Sequence, residues 1–430
     1  MSAEPLKNIR EGQLIEAEIR RLGAQGDGIA QAGNRHLYIS LALPGEKVLV
    51  KIGRPLGDSY TAELTEIITP SADRVPAPCP HFSQCGGCSL QHLAAQPYKA
   101  HKRHIVVEAL RQHKLTDIDV REALVIPAQT RRRLTLAAMH TKNGPIIGFN
   151  ARASHMVVDV QSCSIARPEL VALLPKLRSA LAPWLAKAKT IDIALTTTSN
   201  GIDCLLTGPE PDLEARENIA ALGKEPTLAR ISWRKSERSE AEPMLMLREP
   251  VVRFGDTSVA FPAGAFLQAS LDGEAILTRL VTSALRDVDG RIADLFAGLG
   301  TFSLPLAAQA DVLAVENDRA SISALAATGK VETARRDLFR DPLNADELNE
   351  FSAVVFDPPR AGAEAQVAEL AKSDVPLIVA VSCNPGTFAR DAETLVRGGY
   401  ACEWVQPVDQ FLWSGHVELV AVFHKTGVNH

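Results

Sequence analysis

Hydrophobic and polar positions change rhythm along this chain, and each change predicts a different kind of element. Between residues 10 and 68 apolar residues come in short runs, Leu14-Ile15-Glu16-Ala17-Glu18-Ile19, Leu37-Tyr38-Ile39 and Lys47-Val48-Leu49-Val50, separated by Gly23, Gly26, Gly28 and Gly33. Period-two alternation buries one face of a strand. Several short strands broken by glycine predict a small β-barrel, which the proline-rich stretch 70–80 ends. Residues 95–113 switch to helical spacing, with Ile105, Val106, Ala109 and Leu110 on one face. From 124 to 250 the pattern is mixed, with strand-like runs at 134–138 and 191–195 and a polar stretch at 234–243 that predicts an exposed loop.

The last third is the most regular. Strand-like runs at 291–296, 312–316, 353–357 and 377–382 alternate with helix-like segments at 271–286, 301–309, 318–328 and 363–372. That alternation predicts an open α/β sheet of Rossmann-like type, whose ligands bind beyond the carboxyl ends of the strands.

Composition narrows the class. A chain of 430 residues predicts two or three domains. With 46% apolar and 23% charged residues it reads as a soluble globular protein, and no run reaches the roughly 18 apolar residues of a membrane helix. Residues 1–13 are polar and contain no signal-peptide centre, so a cytoplasmic location is expected. The net charge of −5 does not exclude a nucleic-acid partner, because a binding groove needs only local positive charge. Residues 98–133 supply such an excess, with Lys99, Lys102, Arg103, Arg111, Lys114, Arg121 and the run Arg131-Arg132-Arg133. Of the 7 cysteines, Cys79, Cys85, Cys88 and Cys163 form one set, as expected of metal ligands in a cytosolic protein. Spacing alone admits a 4Fe–4S cluster or a tetrahedral zinc. Cys204 and Cys402 sit in apolar surroundings and read as packing residues.

Chemistry concentrates at the strand ends. Asp294-Leu295-Phe296-Ala297-Gly298-Leu299-Gly300-Thr301 follows an apolar strand and opens a helix, and Gly298 and Gly300 let backbone approach a ligand closely. Glu316 ends the next strand, where an acid accepts hydrogen bonds from ribose hydroxyls; Asp337, after the third, is placed to meet an adenine amino group. In Asp357-Pro358-Pro359-Arg360 the prolines stiffen a turn that holds a carboxylate toward a planar base. The following strand delivers Ser382-Cys383-Asn384-Pro385, a cysteine at a turn, so its thiol faces a cleft.

The order of Gln268 in Phe-Leu-Gln, Asp-Leu-Phe-x-Gly-x-Gly, Asp-Pro-Pro-Arg-x-Gly, Ser-Cys-Asn-Pro and a late His416-Val417-Glu418 resembles the RNA uracil-5 methyltransferase family. Cys79-x5-Cys85-x2-Cys88, running on as Ser89-Leu90-Gln91-His92, resembles its iron–sulfur branch, and the N-terminal barrel resembles its TRAM domain. The resemblance implies a class I fold that uses S-adenosylmethionine, with Cys383 as nucleophile and Glu418 as base. It implies cofactor contacts from Gln268, Phe296, Gly298, Gly300, Thr301, Glu316, Asp337 and Asp357, and a 4Fe–4S cluster on Cys79, Cys85, Cys88 and Cys163. The expected division is 1–70 for a TRAM/OB-like barrel that binds RNA, 71–93 with 124–253 for a central α+β iron–sulfur domain, and 94–123 with 254–430 for the catalytic domain. The implied substrate is RNA, preferably 23S rRNA with tRNA as the alternative, and a monomer is the default. Arg131–Arg133 are expected on phosphates, and Phe266, Phe302 or Trp413 on a stacked base. The sequence departs from the family at Ser270 and Thr301, where Asn is common, and over residues 411–415. An amino-group methyltransferase and an inactive RNA-binding iron–sulfur protein are the competing readings. Cytosine-5 chemistry is disfavoured because no cysteine accompanies Asp357-Pro358-Pro359.

Overall fold

The computed structural model describes residues 9–427. Residues 1–8, which begin the stretch read above as lacking a signal centre, lie outside the described residues.

Five strands, Leu14–Leu22, Gly28–Ala32, Arg35–Ile39, Lys47–Leu56 and Ser59–Thr69, close into a barrel in which the fifth lies between the third and the fourth. Ile15, Ile19, Leu37, Ile39, Val48, Val50 and Ile52 fill it, as the alternating pattern predicts. Gly28 is required there for space, since a Cβ would stand 2.7 Å from the Ala42 carbonyl oxygen.

The middle of the chain forms a seven-stranded sheet covered by the helix Pro168–Ala188. The sequence reading did not single that helix out, because Pro175 and Pro183 lie inside it. Each proline removes one helical hydrogen bond. Leu170, Leu173, Leu174, Leu177, Leu181, Trp184 and Leu185 nevertheless form a continuous buried stripe, and tertiary burial outweighs local propensity. The polar stretch expected to be a loop already contains the start of the strand Glu242–Met246. That strand is at a sheet edge, where solvent on one side tolerates polar residues.

The last third forms the sheet that positions the chemistry. Seven of its nine strands are β1 (Arg291–Leu295), β2 (Asp311–Glu316), β3 (Glu332–Arg335), β4 (Ala353–Phe356), β5 (Leu377–Ser382), β6 (Tyr400–Asp409) and β7 (Glu418–Lys425); the short strands Asp119–Val120 and Leu124–Val125 pair with β6. The seven run in the order β3-β2-β1-β4-β5-β7-β6, with β7 antiparallel to both β5 and β6 and the other pairs parallel. This is the Rossmann-like arrangement expected. Strand β3 lacked an apolar signal because it is an edge strand, Glu-Thr-Ala-Arg. The helix Ala95–Gln112 is far away in sequence but packs here, its Ile105, Val106 and Leu110 in one core with Phe388, Leu395 and Phe423. Among the described residues no helix is long and apolar enough to cross a membrane.

Candidate active site

Strand β1 leaves the core at Leu295, and the chain turns at once through left-handed backbone: Phe296 has φ 62°, Gly298 55° and Gly300 91°. Phe296 is the unusual member, since a side chain costs energy in that region. The turn sets its ring 5.4 Å from that of Phe339. A Cβ on Gly300 would stand 2.6 Å from Leu325, whereas one on Gly298 would meet nothing within 4 Å. Gly300 is thus needed for packing, and Gly298 borders open space of the kind a bound cofactor fills. Glu316, at the end of β2, accepts from the Gly298 N–H at 3.0 Å and the Asp318 N–H at 2.7 Å. Asp337, past β3, accepts from the Phe339 N–H at 3.1 Å. Thr301 is half-buried between this turn and the short helix Ser303–Leu306. The sheet therefore brings Phe296, Gly298, Gly300, Thr301, Glu316 and Asp337 to one end.

A second group lies beside the first, past the ends of β4 and β5. The Gln268 side-chain N–H donates to Asp357 Oδ2 at 2.9 Å. Gln410 Nε2 donates to Gln268 Oε1 at 2.6 Å and to Glu418 Oε2 at 2.7 Å. The Gln268 carbonyl accepts from Arg132 Nε at 3.0 Å, and two residues on Ser270 caps the helix Leu271–Ala284 by accepting from Gly273 N–H at 2.9 Å. Ser270 thus does the capping that an Asn could also do.

Cys383 follows β5, at the start of the helix Pro385–Arg397, which Asn384 caps and Pro385 opens. Asn384 also donates to the Arg360 carbonyl at 3.0 Å, tying the cysteine turn to the Asp357-Pro358-Pro359-Arg360 turn. Burial, then the nearby Glu418 and Asp357 carboxylates, push the Cys383 thiol up to about 12, against a smaller opposing pull from Arg360. Glu418 is 2% exposed. Its burial and the Asp357 charge push it up to about 8. Asp357 is pushed up to about 7 by burial, with the Gln268 hydrogen bond pulling the other way. These three groups crowd too much potential negative charge together for all to ionise, and a cationic ligand would favour the thiolate.

Cys383 opens into a cleft of about 400 Å³. The barrel contributes Arg21 and Gln25 to its wall, the helix Ala95–Gln112 contributes His101 and His104, and Arg360, Gly415 and His416 complete it. Contact between barrel and catalytic sheet is tight, since a Cβ on Gly415 would stand 2.6 Å from Gln25 Cα. Burial lowers both His101 and His416 to about 4, so these rings are neutral near pH 7.

The four cysteines expected to act together share one neighbourhood. Burial is the main reason that Cys85, Cys88 and Cys163 are hard to ionise, and the charge of the neighbouring thiols adds to it. Arg131 lies beside Cys163 and Cys88, and Arg152 beside Cys85, donating as well to the Cys88 carbonyl at 2.7 Å. Four thiols beside two guanidinium groups make a soft donor set whose negative charge, when ionised, would be offset locally. Among the described residues no three His, Cys, Asp or Glu side chains are spaced to hold a single metal ion.

Two expectations need correction. Arg132 is 3% exposed and paired with Glu274, so it does not face phosphate; Arg133 donates to the Leu267 carbonyl at 2.6 Å. Phe302 is 2% exposed in the core and does not stack on a base. Sequence reasoning missed Gln410, Asp409 and Tyr98, and it counted Lys102 in the local basic excess, whereas Lys102 is fully buried and paired with Asp409. The Lys102 ammonium lies 2.8 Å from Asp409, donates to the Ser414 carbonyl at 2.8 Å and also reaches the His416 carbonyl. The Tyr98 hydroxyl donates to Asp409. No signal in the sequence marked Gln410, whose partners Gln268 and Glu418 meet it only in the folded sheet.

Comparison with known proteins gives a consistent result. The family described as tRNA (Uracil-5-)-methyltransferase matches residues 333–426. An uncharacterised RNA methyltransferase of Mesorhizobium japonicum is 42% identical, with 95% of this chain and 97% of the relative aligned. The 23S rRNA (uracil(1939)-C(5))-methyltransferase RlmD of Shewanella piezotolerans is 32% identical, with 98% of each covered. The crystal structure of the Pyrococcus abyssi tRNA (uracil-54, C5)-methyltransferase superposes with a TM-score of 0.73 at 23% identity, over 95% of this chain and 99% of that one.

Proposed function

Since the chain belongs to the RNA uracil-5 methyltransferase family, whose class I members use S-adenosylmethionine, we propose that it methylates carbon 5 of a uridine in 23S rRNA, with Cys383 as nucleophile and Glu418 as base. One observation carries the assignment of roles. Cys383, Asp357 and Glu418 lie close enough for each carboxylate to shift the thiol, and a single hydrogen-bonded chain runs from Asp357 through Gln268 and Gln410 to Glu418.

Carbon 5 of uracil is too weak a nucleophile to take a methyl group unaided. Cys383 Sγ adds to carbon 6, and the electron pair of the ring double bond becomes available at carbon 5. S-adenosylmethionine, when bound, supplies the methyl group as an electrophilic sulfonium. Gln268, Phe296, Gly298, Gly300, Thr301, Glu316, Asp337 and Asp357 would hold it, and its positive charge matches the crowded carboxylates. Glu418 then removes the proton from carbon 5, the double bond re-forms, and the thiolate of Cys383 leaves carbon 6. The uridine must be flipped out of any stack to reach the cleft, at a cost of a few kcal/mol.

The rRNA target is supported by the relative that covers nearly the whole chain and by the cysteine motif. Cys79, Cys85, Cys88 and Cys163 would hold a 4Fe–4S cluster whose role is to tie the loop 79–88 to the central sheet. Anaerobically purified protein is expected to contain about four iron and four acid-labile sulfide per chain; zinc without sulfide would overturn this part. We place the protein in the cytoplasm, as a monomer. For the reaction, Cys383→Ala is expected to lose turnover and the denaturation-resistant complex with 5-fluorouridine RNA. Mass-spectrometric mapping of 5-methyluridine in rRNA and tRNA of a deletion strain tests the target: loss from tRNA alone would refute the rRNA choice.

A further inference from the structure

Glu418 is a carboxylate with two different oxygens. Oε2 accepts from Gln410 Nε2 at 2.7 Å, whereas Oε1 is buried and has no partner among the described residues. The polarity of Gln410 is determined as well. The Ala269 backbone N–H donates to Gln410 Oε1 at 3.0 Å, so the amide oxygen must point there and Nε2 must point at Glu418 and Gln268. A flipped amide would set its oxygen against the carboxylate and its NH₂ against a backbone donor. All three hydrogen bonds of the Gln410 amide are thereby consistent with one orientation only.

We infer that Gln410 is a positioning residue for the elimination step: it locks the Glu418 carboxylate by occupying Oε2 and leaves Oε1 as the atom that takes the proton from carbon 5. This inference rests on the proposed reaction, in which Glu418 is the base. The hydrogen bond from Nε2 fixes the carboxylate plane and draws electron density from Oε2, so the unpartnered Oε1 is the more basic oxygen and takes the proton. In that step the C5–H bond breaks with its proton moving to Oε1. The bond's electron pair forms the C5–C6 double bond, and the C6–S pair departs with Cys383 Sγ. The chain through Gln268 to Asp357 also links the base to the group next to the cofactor turn, so the base is held by the same residues that meet the cofactor.

The test separates elimination from the earlier steps. Substrate RNA carrying tritium at uridine carbon 5 is incubated with S-adenosylmethionine labelled in its methyl group. In the wild type, methyl incorporation into free RNA and tritium release should coincide. In Gln410→Met, kcat is expected to fall about 10- to 100-fold with KM for both substrates within about threefold. Methyl label should appear in a denaturation-resistant protein–RNA complex before tritium is released. Equal rates of the two events in the variant, or a rise in KM that accounts for the lost kcat/KM, would overturn the inference. Gln410→Glu serves as a second variant, read by pH profile: a new carboxyl against Oε2 should move the half-maximal pH of turnover up by a unit or more, and an unmoved profile would count against the role. If the wild type itself forms no 5-methyluridine, the proposed function fails. Were Cys383→Ala to trap the same complex, that function would fail too, whatever Gln410 does.

Discussion

At the scale of single residues, the site combines groups whose ordinary charges conflict. Glu418 is raised to about 8 and must be ionised to act as a base, so kcat/KM should rise with pH through about 7 to 8 and fall below it. Single-turnover methylation measured from pH 6 to 9.5 checks this. The same shift bears on stability. A carboxyl whose folded value exceeds its unfolded one near 4.5 keeps its proton longer in the native state, so stability declines as pH rises between those values. Glu418→Gln should therefore abolish release of product while melting above the wild type at pH 8.5, with the difference shrinking toward pH 5. A variant that melts lower at pH 8.5 would contradict that reading. The place of Cys383 at a turn beyond a buried strand was legible in the sequence, because Asn384 and Pro385 cap and open the helix that follows. Gln410 was not legible. An amide next to Asp409 acquires meaning only once β6 and β7 pair and bring it against residues 142 and 8 positions away.

At the scale of elements, the segment between β6 and β7 is held by a helix distant in sequence. Lys102 and Asp409 are fully buried and paired, and Lys102 also reaches two carbonyls of the segment that ends at Glu418. Removing one member of a buried pair strands the other, at a cost of about 3–5 kcal/mol. Lys102→Met should lower the denaturant midpoint correspondingly and reduce kcat even where the protein remains folded; unchanged unfolding would refute the clamp. In the central sheet, Leu177→Ala, within the helix that carries two prolines, should cost about 2–5 kcal/mol, as measured by urea unfolding. The α/β alternation of the last third was readable because parallel strands buried on both faces write continuous apolar runs. The helix Ala95–Gln112 was also predicted from its pattern. Its attachment to the catalytic sheet was not, since amphipathic spacing shows which face is buried and says nothing of the partner.

At the scale of the whole molecule, the barrel, the long helix and the catalytic sheet meet around one cleft. Arg21 from the barrel and Arg360 from the sheet stand on its wall, and neither forms an ion pair among the described residues. If RNA phosphates take them, Arg21→Ala should weaken binding at low salt and reduce the slope of log Kd against log salt by roughly 0.7. Titration of substrate RNA at several KCl concentrations checks this, and an unchanged slope would remove Arg21 from the interface. The sequence reading placed its basic excess at residues 98–133, whereas the arginines on this cleft wall are Arg21 and Arg360, outside that stretch. Arg132 belongs to the most basic run in the chain and is spent inside the protein, because a run of like charges records composition and not direction.

The contact at Gly415 reaches further. Gln25 Cα occupies the space that any side chain there would need, three residues before Glu418. A chimera in which the barrel is exchanged for that of a relative would therefore have to carry a matching loop in the catalytic half, or the graft would push Glu418 out of register. The barrel loop and the Gly415 segment are in this sense one unit, and an exchange between relatives would stay folded only where both halves of that seam travel together.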